Sequence, residues 1–153
     1  MDRPRMSSSA GVWPAASTRF FTWEEANRTL PLVRRIVDDI RSAHEALQAP
    51  LERFRRLVES SREAGAEARA LRAELDQRAQ RLNGFVDELA EVGCHVKGFD
   101  EGLVDFYSLR DGRPVLLCWR AGEPEVGHWH DIDAGFAGRR PIPIDERDAF
   151  RNA

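Results

Sequence analysis

Hydrophobic residues recur at alternating steps of three and four along the first half of the chain, which places them on one stripe of a helix. The stripe comprises Leu30, Val33, Val37, Ile40, His44, Leu47, Leu51, Phe54 and Val58. This spacing is that of a coiled-coil seam, and we interpret His44 as a polar residue within it. Before the stripe, Thr22 and Glu25 stand three residues apart and predict a capping box. The pattern therefore predicts a long helix with a capped entry.

Two interruptions divide the helical region. Pro50 would cost about 3 kcal/mol inside a helix, but the stripe keeps its phase across it, so we expect one kinked helix rather than two. The glycine-containing segment Ser60–Glu67 predicts a turn. A second stripe follows from Ala68 to Leu89, and Gly93 fits the left-handed residue that ends many helices. The sequence thus predicts an antiparallel helical hairpin over residues 20–93.

After the hairpin the hydrophobic period becomes that of strands. Asp111 and Gly112 form a favoured type I′ turn, which fixes the register of two strands. One face of this pair is a predicted core face and carries Val104, Phe106, Ser108, Val115, Leu117 and Trp119. A further strand, Val126–Asp131, would pair with the second of them. We therefore predict an α+β fold, a long antiparallel helical hairpin followed by a small antiparallel β-sheet in residues 94–145.

The loop before this further strand decides where its histidines point. If Ala121–Glu125 is a five-residue loop, His128 faces Cys118 and His130 lies beside them on the non-core face. A four-residue loop would turn both histidines toward the core. The five-residue version is favoured because it places Trp129 inside.

Length and composition limit the kinds of protein that this chain can be. Its 153 residues suffice for one domain, which we place at 20–145 between tails at 1–19 and 146–153. The net charge of −3 shows no basic excess, so we do not expect a nucleic-acid partner. No apolar run is long enough to span a bilayer, and no segment resembles a secretory signal. With only two, distant cysteines, a cytoplasmic location is expected.

Candidate chemistry is concentrated on the non-core face. A zinc or iron site would use thiolate, imidazole and carboxylate ligands, and the candidates are Asp105, Cys118, Glu123, His128 and His130. Their spacing matches no standard metal motif. The structural alternative makes Cys118 a buried sheet residue and lets His130 hydrogen-bond to a neighbouring group.

Two adjacent arginines lie in a glycine-rich turn near the C-terminal end of the sheet region. Arg139 and Arg140 are candidates for binding an anionic ligand, since the neighbouring glycines allow close backbone approach. The alternative is structural, with Arg139 paired to Asp105 or Glu123 so that the turn is tied to the sheet. We favour the structural interpretation, because turn glycines usually serve backbone geometry.

A set of motifs resembles a prokaryotic family catalogued as domain of unknown function 2203, over roughly Phe20–Ile142. The motifs are Gly102–Phe106, Leu117–Trp119, Gly122-Glu123, His130, Gly135-Phe136 and Gly138-Arg139. The resemblance implies a bacterial, cytoplasmic protein with helices before the sheet, and it implies no established activity. His130 belongs to the motif positions, whereas His128 does not.

No complete catalytic constellation is visible in the sequence, so an enzyme is not the leading expectation. We expect a non-enzymatic interaction or structural module with an unknown protein partner, and homodimerisation through the helical hairpin. The alternative is a metal-binding or metal-dependent protein that uses the Cys/His/carboxylate cluster of the sheet with zinc or iron.

Overall fold

A computed structural model of the chain describes residues 18–60 and 65–153. Most of the expected N-terminal tail and the middle of the predicted turn Ser60–Glu67 lie outside these residues. The helices are α1 (Trp23–Arg28), α2 (Leu30–Ser60) and α3 (Gly65–Val92). None of the helices in the described ranges combines the length and apolar character that crossing a membrane requires.

The predicted capping box is confirmed at the start of α1. The Thr22 hydroxyl accepts a hydrogen bond from the Glu25 N–H at 3.0 Å, and the Glu25 carboxylate accepts one from the Thr22 N–H at 2.9 Å. At the end of the second long helix, Gly93 follows α3 with φ of +110°, the left-handed backbone that its position predicted.

Helix α2 continues through Pro50, which confirms one helix rather than two. Pro50 has no N–H to donate to the carbonyl of Ala46, four residues earlier. Arg78 of α3 supplies a donor instead, with its Nη1 at 3.2 Å from the Ala46 oxygen. The facing helix therefore offsets part of the proline's cost. Because α2 and α3 pack closely along each other, the predicted hairpin is confirmed.

The sheet contains six strands within the described residues. They are β1 (His95–Gly98), β2 (Leu103–Arg110), β3 (Arg113–Arg120), β4 (His128–Asp131), β5 (Arg140–Pro141) and β6 (Phe150–Arg151). The order β1-β2-β3-β4-β5 is antiparallel throughout, and β6 pairs with β2. Asp111 and Gly112 both have positive φ, as a type I′ turn requires, and β2 and β3 pair in the register that this turn fixes, from Arg110 with Arg113 to Leu103 with Arg120.

The predicted core face of β2 and β3 is fully buried. Its six residues are at most 1% exposed and pack with Val33, Val37, Ile40 and Leu89 of the helices. Ser108 is the one polar member, and its hydroxyl donates to the Phe21 carbonyl at 2.6 Å. This bond satisfies the buried hydroxyl, so the polar residue is compatible with the core.

The C-terminal residues differ from the expected tail at 146–153. Residues Ile144–Ala149 form a 3₁₀ helix, and β6 then pairs Phe150 with Arg110. Phe150 is 1% exposed and meets the Trp129 ring edge-on, with centroids 5.9 Å apart. A two-residue strand is too short to show alternation in the sequence, and its position is fixed by this aromatic contact. The sheet therefore extends beyond residue 145.

Candidate metal centre on the outer face of the sheet

The strand register places the candidate ligands on the face of the sheet opposite the helices. Cys118 pairs with Asp105 on β2 and with His128 on β4, while Leu116 pairs with His130. This register confirms the five-residue loop Ala121–Glu125. Directly opposed residues share a face, so the four candidates lie on one side of the sheet.

Three of the candidates converge. Asp105, Cys118 and His130 each offer a ligand atom, and these atoms all lie within 4.8 Å of one another. Their exposed fractions are 4%, 1% and 3%, so the group is removed from bulk water. A carboxylate, a thiol and an imidazole buried together are costly to desolvate unless they pair or bind a common ion.

Hydrogen bonds define the state of the His130 ring. Nδ1 lies 2.8 Å from the Asp131 carbonyl oxygen, which can only accept, so Nδ1 carries a proton. Nε2 lies 3.2 Å from Oδ1 of Asp105. Hydrogen bonds with Asp105 and then with Cys118 raise the pKa of His130 to about 10, against burial, which lowers it. At neutral pH the ring is therefore an imidazolium ion paired with the Asp105 carboxylate.

The structure does not bring Glu123 and His128 into this group. Glu123 instead accepts two hydrogen bonds from Arg139, at 2.8 and 2.9 Å. Burial alone would raise the pKa of Glu123, but the bonds from Arg139 and from the Arg120 N–H hold it below its ordinary value. Nδ1 of His128 lies 3.6 Å from the same carboxylate, beyond hydrogen-bond distance, and burial and Arg139 lower the pKa of His128. Glu123 is therefore paired with Arg139, and His128 lies beside this pair outside the group.

The two adjacent arginines, Arg139 and Arg140, have different environments. Arg139 is 12% exposed, bridges Glu123 to the Cys118 carbonyl at 3.4 Å, and so makes the structural contact that we favoured. Arg140 is 62% exposed and lies 3.6 Å from Asp131 and 5.0 Å from the Trp129 ring centroid. Anion binding by these two arginines stays a prediction.

A cavity of about 180 Å³ opens above the three converging residues. Its walls are Lys97, Leu103, Leu116, Ile132, Gly135 and Phe136, with Asp105, Cys118 and His130 at its base. Sequence reasoning missed Lys97, which lies in the irregular part of β1 where the register shifts. One signal was available, since Lys97 is the only lysine of the chain beside 22 arginines.

The other cysteine has a different environment. Cys94 follows Gly93, is fully buried, and burial raises the pKa of its thiol to about 12. A thiol with such a pKa is neither a nucleophile nor a ready metal ligand at neutral pH. Cys94 packs in the helix–sheet core and has a structural role there.

Fold and site together define an α+β protein with a helical hairpin and a buried Asp/Cys/His group on the outer face of its sheet. The chain belongs to the family described as "Uncharacterized conserved protein (DUF2203)", whose model matches residues 19–142. The resemblance drawn from the motifs is thereby confirmed. No curated protein and no solved structure matches this chain.

Proposed function

We propose that this protein binds a single divalent metal ion, Zn²⁺ or Fe²⁺, through Asp105, Cys118 and His130. The observation that carries the proposal is the convergence of the three donors to within 4.8 Å at the base of a cavity. Oxygen, sulfur and nitrogen donors together suit zinc or ferrous iron better than the oxygen-preferring Mg²⁺ and Ca²⁺.

The hydrogen bond of His130 supports its role as a ligand. Its Nδ1–H donates to the Asp131 carbonyl, which leaves Nε2 as the nitrogen that faces Asp105 and the cavity. Histidine ligands commonly make such a second hydrogen bond, since it fixes the tautomer and the direction of the ring. The strand thus holds the ring in the orientation that a metal ligand needs.

Charge and coordination number also support the proposal. A carboxylate and a thiolate would balance the two positive charges of the ion, so burial of the complete site leaves no net charge. Three protein ligands leave the fourth position of a tetrahedral ion for water or another molecule. The cavity is the route by which that molecule would arrive.

The test is the metal content of the chain purified without an affinity tag. We expect about one zinc or iron per chain, since ordered sites of this kind bind with about 10 kcal/mol or more. Cys118→Ser should reduce the metal to less than about 0.1 per chain. Cys94→Ser, a change of the other buried cysteine, should leave it unchanged.

Cobalt provides a second readout that needs no variant. Co²⁺ bound by a thiolate gives an intense charge-transfer absorption, so the wild-type protein should develop this band on titration. Circular dichroism should show that the Cys118→Ser variant keeps its fold while losing the band. A folded wild-type protein with neither bound metal nor a cobalt band would overturn the proposal.

A second candidate function, as a homodimeric interaction module, is favoured by the far half of the hairpin. We call residues 48–60 and 65–81 the distal hairpin. Its seam residues Leu51 and Phe54 are only half-buried, and Val58 is 56% exposed. A second copy of the hairpin would cover this stripe, because the same seam lies on both protomers.

Light scattering coupled to size-exclusion chromatography tests the homodimer. At micromolar concentration we expect twice the mass of one chain, and Leu51→Glu should return the protein to a monomer. Glu52→Gln, one residue along and on the solvated side, is the matched control. A wild-type monomer at these concentrations would rule out the dimer and leave the metal proposal intact.

Our proposal includes a cytoplasmic location. Cys94 and Cys118 are free thiols, and a thiolate ligand must stay reduced in order to bind metal. A reducing compartment maintains that state. Recovery of the native protein only from the secreted fraction of its cells would contradict this location.

A further inference from the structure

The cavity above the cluster has a polar base and apolar walls. Leu103 and Leu116 are at most 6% exposed and line its inner part. Ile132 and Phe136 are 37% and 41% exposed and belong to the large hydrophobic residues that remain in contact with water. Apolar side chains left exposed around a concave site gain free energy when a ligand covers them. The walls therefore select a molecule with an apolar body.

Lys97 gives the same cavity a positive charge. It is the only side-chain amine of the chain, because every other basic position of the Lys/Arg type holds arginine. An ammonium is a compact point charge, whereas a guanidinium is a wide planar group. In a space of about 180 Å³, the smaller group attracts an anion without filling the volume that the ligand needs.

We propose that the ligand of this cavity is a small monocarboxylate with a compact apolar body, of about the size of benzoate. The carboxylate would take the fourth position on the metal, with Lys97 beside it, and the apolar body would lie against Ile132 and Phe136. This inference rests on the metal site proposed above, since the carboxylate needs the ion as its main partner.

Size and charge set the limits of the ligand class. An apolar protein cavity of about 150 Å³ binds benzene, so 180 Å³ accommodates one aromatic ring or a short branched chain but no larger skeleton. The proposed metal with Asp105 and Cys118 has no net charge, and Lys97 adds one positive charge. A single negative charge therefore completes the site, and a dianion or a cation does not.

The experiment uses the cobalt-loaded full-length protein and follows its visible absorption during titration with three probes. Benzoate should shift the cobalt spectrum and bind roughly tenfold or more tightly than acetate, because acetate lacks the apolar body. Benzylamine, which has the ring but the opposite charge, should produce no shift. Equal affinity for acetate and benzoate would overturn the role of the apolar walls.

Two variants distinguish the contribution of the apolar wall to ligand binding from that of the Lys97 charge. Ile132→Ala should weaken benzoate binding about fivefold and leave acetate unchanged, since only the larger ligand contacts the wall. Ile144→Ala, a change of an isoleucine that is 78% exposed and outside the cavity, is the matched control. Lys97→Met should weaken both carboxylates and keep the cobalt absorption band.

Acetylation of Lys97 gives a readout on the unmodified protein. Acetic anhydride modifies this single side-chain amine, and its extent can be measured by mass spectrometry of the peptide that contains it. Benzoate should slow the modification in the cobalt-loaded protein and have no effect on the metal-free protein. Equal rates with and without benzoate in the loaded protein would overturn the placement of the ligand beside Lys97.

The outcomes distinguish this inference from the proposed function. If cobalt binds with its thiolate band but benzoate changes neither the spectrum nor the acetylation rate, the ligand class is wrong and the metal site stands. If no cobalt binds, the proposed function itself fails. Benzoate that protects Lys97 in the metal-free protein would show a carboxylate site that does not depend on the metal.

Discussion

The two ends of the hairpin carry the same hydrophobic spacing but differ in burial. At the sheet end, residues 20–47 and 82–151, the seam positions Leu30, Val33 and Val37 are at most 3% exposed. In the distal hairpin the α2 part of the seam is half-buried, because the large core cluster that includes the sheet reaches no further along α2 than Leu47. One facing helix covers part of a stripe, whereas a helix and a sheet together cover all of it.

This difference in burial decides what polar groups do. In the distal hairpin, Glu52 and Arg56 are more than half exposed, and their charges remain in water. At the sheet end, Glu123 and Arg139 are 23% and 12% exposed, and the glutamate accepts two hydrogen bonds from the arginine. The candidate metal ligands lie at this end, on the outer face of the sheet, where they are buried.

The largest expected effect is on stability, and it compares two phenylalanines. Phe106→Ala at the sheet end should lower the free energy of unfolding by about 3–5 kcal/mol, because its fully buried ring leaves a cavity. Phe54→Ala in the distal hairpin should lower it by about 1 kcal/mol, since that ring is already half in water. Urea denaturation followed by circular dichroism measures both.

Similar losses of unfolding free energy for the two substitutions would contradict this difference in burial between the two ends of the hairpin. If Phe54→Ala alone cost as much as Phe106→Ala, an additional surface would have to cover the distal seam in solution. Repeating the measurement at several protein concentrations would then show whether that surface is a second copy of the chain.

A smaller effect is expected from two arginines that each pair with a glutamate. Arg139→Met should lower the free energy of unfolding by about 2 kcal/mol, because it leaves the carboxylate of Glu123 without its two charged donors. Arg56→Met should change it by about 0.3 kcal/mol, since that pair with Glu52 is solvated. Denaturation at low and at high salt measures both, and only the second should depend strongly on salt.

The pH dependence of metal affinity tests the buried cluster directly. His130 has a pKa of about 10 in the folded chain, so at neutral pH a metal must displace a proton from it. Cobalt affinity should therefore rise about tenfold per pH unit for each proton released, between roughly pH 6 and pH 8. Isothermal titration calorimetry in buffers of different ionisation enthalpy counts the protons.

Stability of the metal-free chain should change with pH in the opposite direction. The folded pKa of His130 lies above its ordinary value of 6.5, so the ion pair with Asp105 stabilises fully below about pH 6.5. That contribution is lost as the pH rises toward 10.

A cobalt affinity independent of pH would show that His130 does not give up a proton to the metal. His128→Gln changes a residue outside the cluster and should leave the pH dependence of cobalt affinity unchanged.

Local chemistry made most of the fold predictable. The Asp111-Gly112 turn fixed one register, and the period of two along a strand then placed Asp105, Cys118 and His128 in one row. The capping box and the terminal Gly93 depend on a few adjacent residues in the same way. Each of these features is set by contacts within a few positions of the chain or across one hairpin.

What the sequence could not predict depends on contacts between distant segments. The strand register correctly predicted the face of the sheet on which His128 lies. Glu123, however, pairs with Arg139, which comes from a later turn, and so lies outside the cluster. Lys97 reaches the cavity through an irregular pairing in β1, and Phe150 is placed by Trp129. No periodic pattern in the sequence predicts these contacts. The predicted cluster therefore included Glu123 and His128, which lie outside the converging group, and did not include Lys97, which lines the cavity.

A further small effect concerns Pro50 and Arg78, which both act on one carbonyl group, that of Ala46. Arg78 donates to the Ala46 carbonyl that Pro50 leaves without its helical donor. In the wild type, Arg78→Met should therefore lower the free energy of unfolding by about 1 kcal/mol. In a Pro50→Ala background the alanine N–H bonds to that carbonyl, so the same change should cost a few tenths of that.

Urea denaturation of the four proteins of this double-mutant cycle gives the coupling energy, expected at about 0.7 kcal/mol. Arg81→Met in the same two backgrounds is the matched control, because Arg81 lies on the same helix but lies against the Phe85 ring instead. A coupling near zero would mean that water satisfies the Ala46 carbonyl as well as Arg78 does. The proline would then be tolerated because Ala46 is only partly buried, so that water can reach its carbonyl.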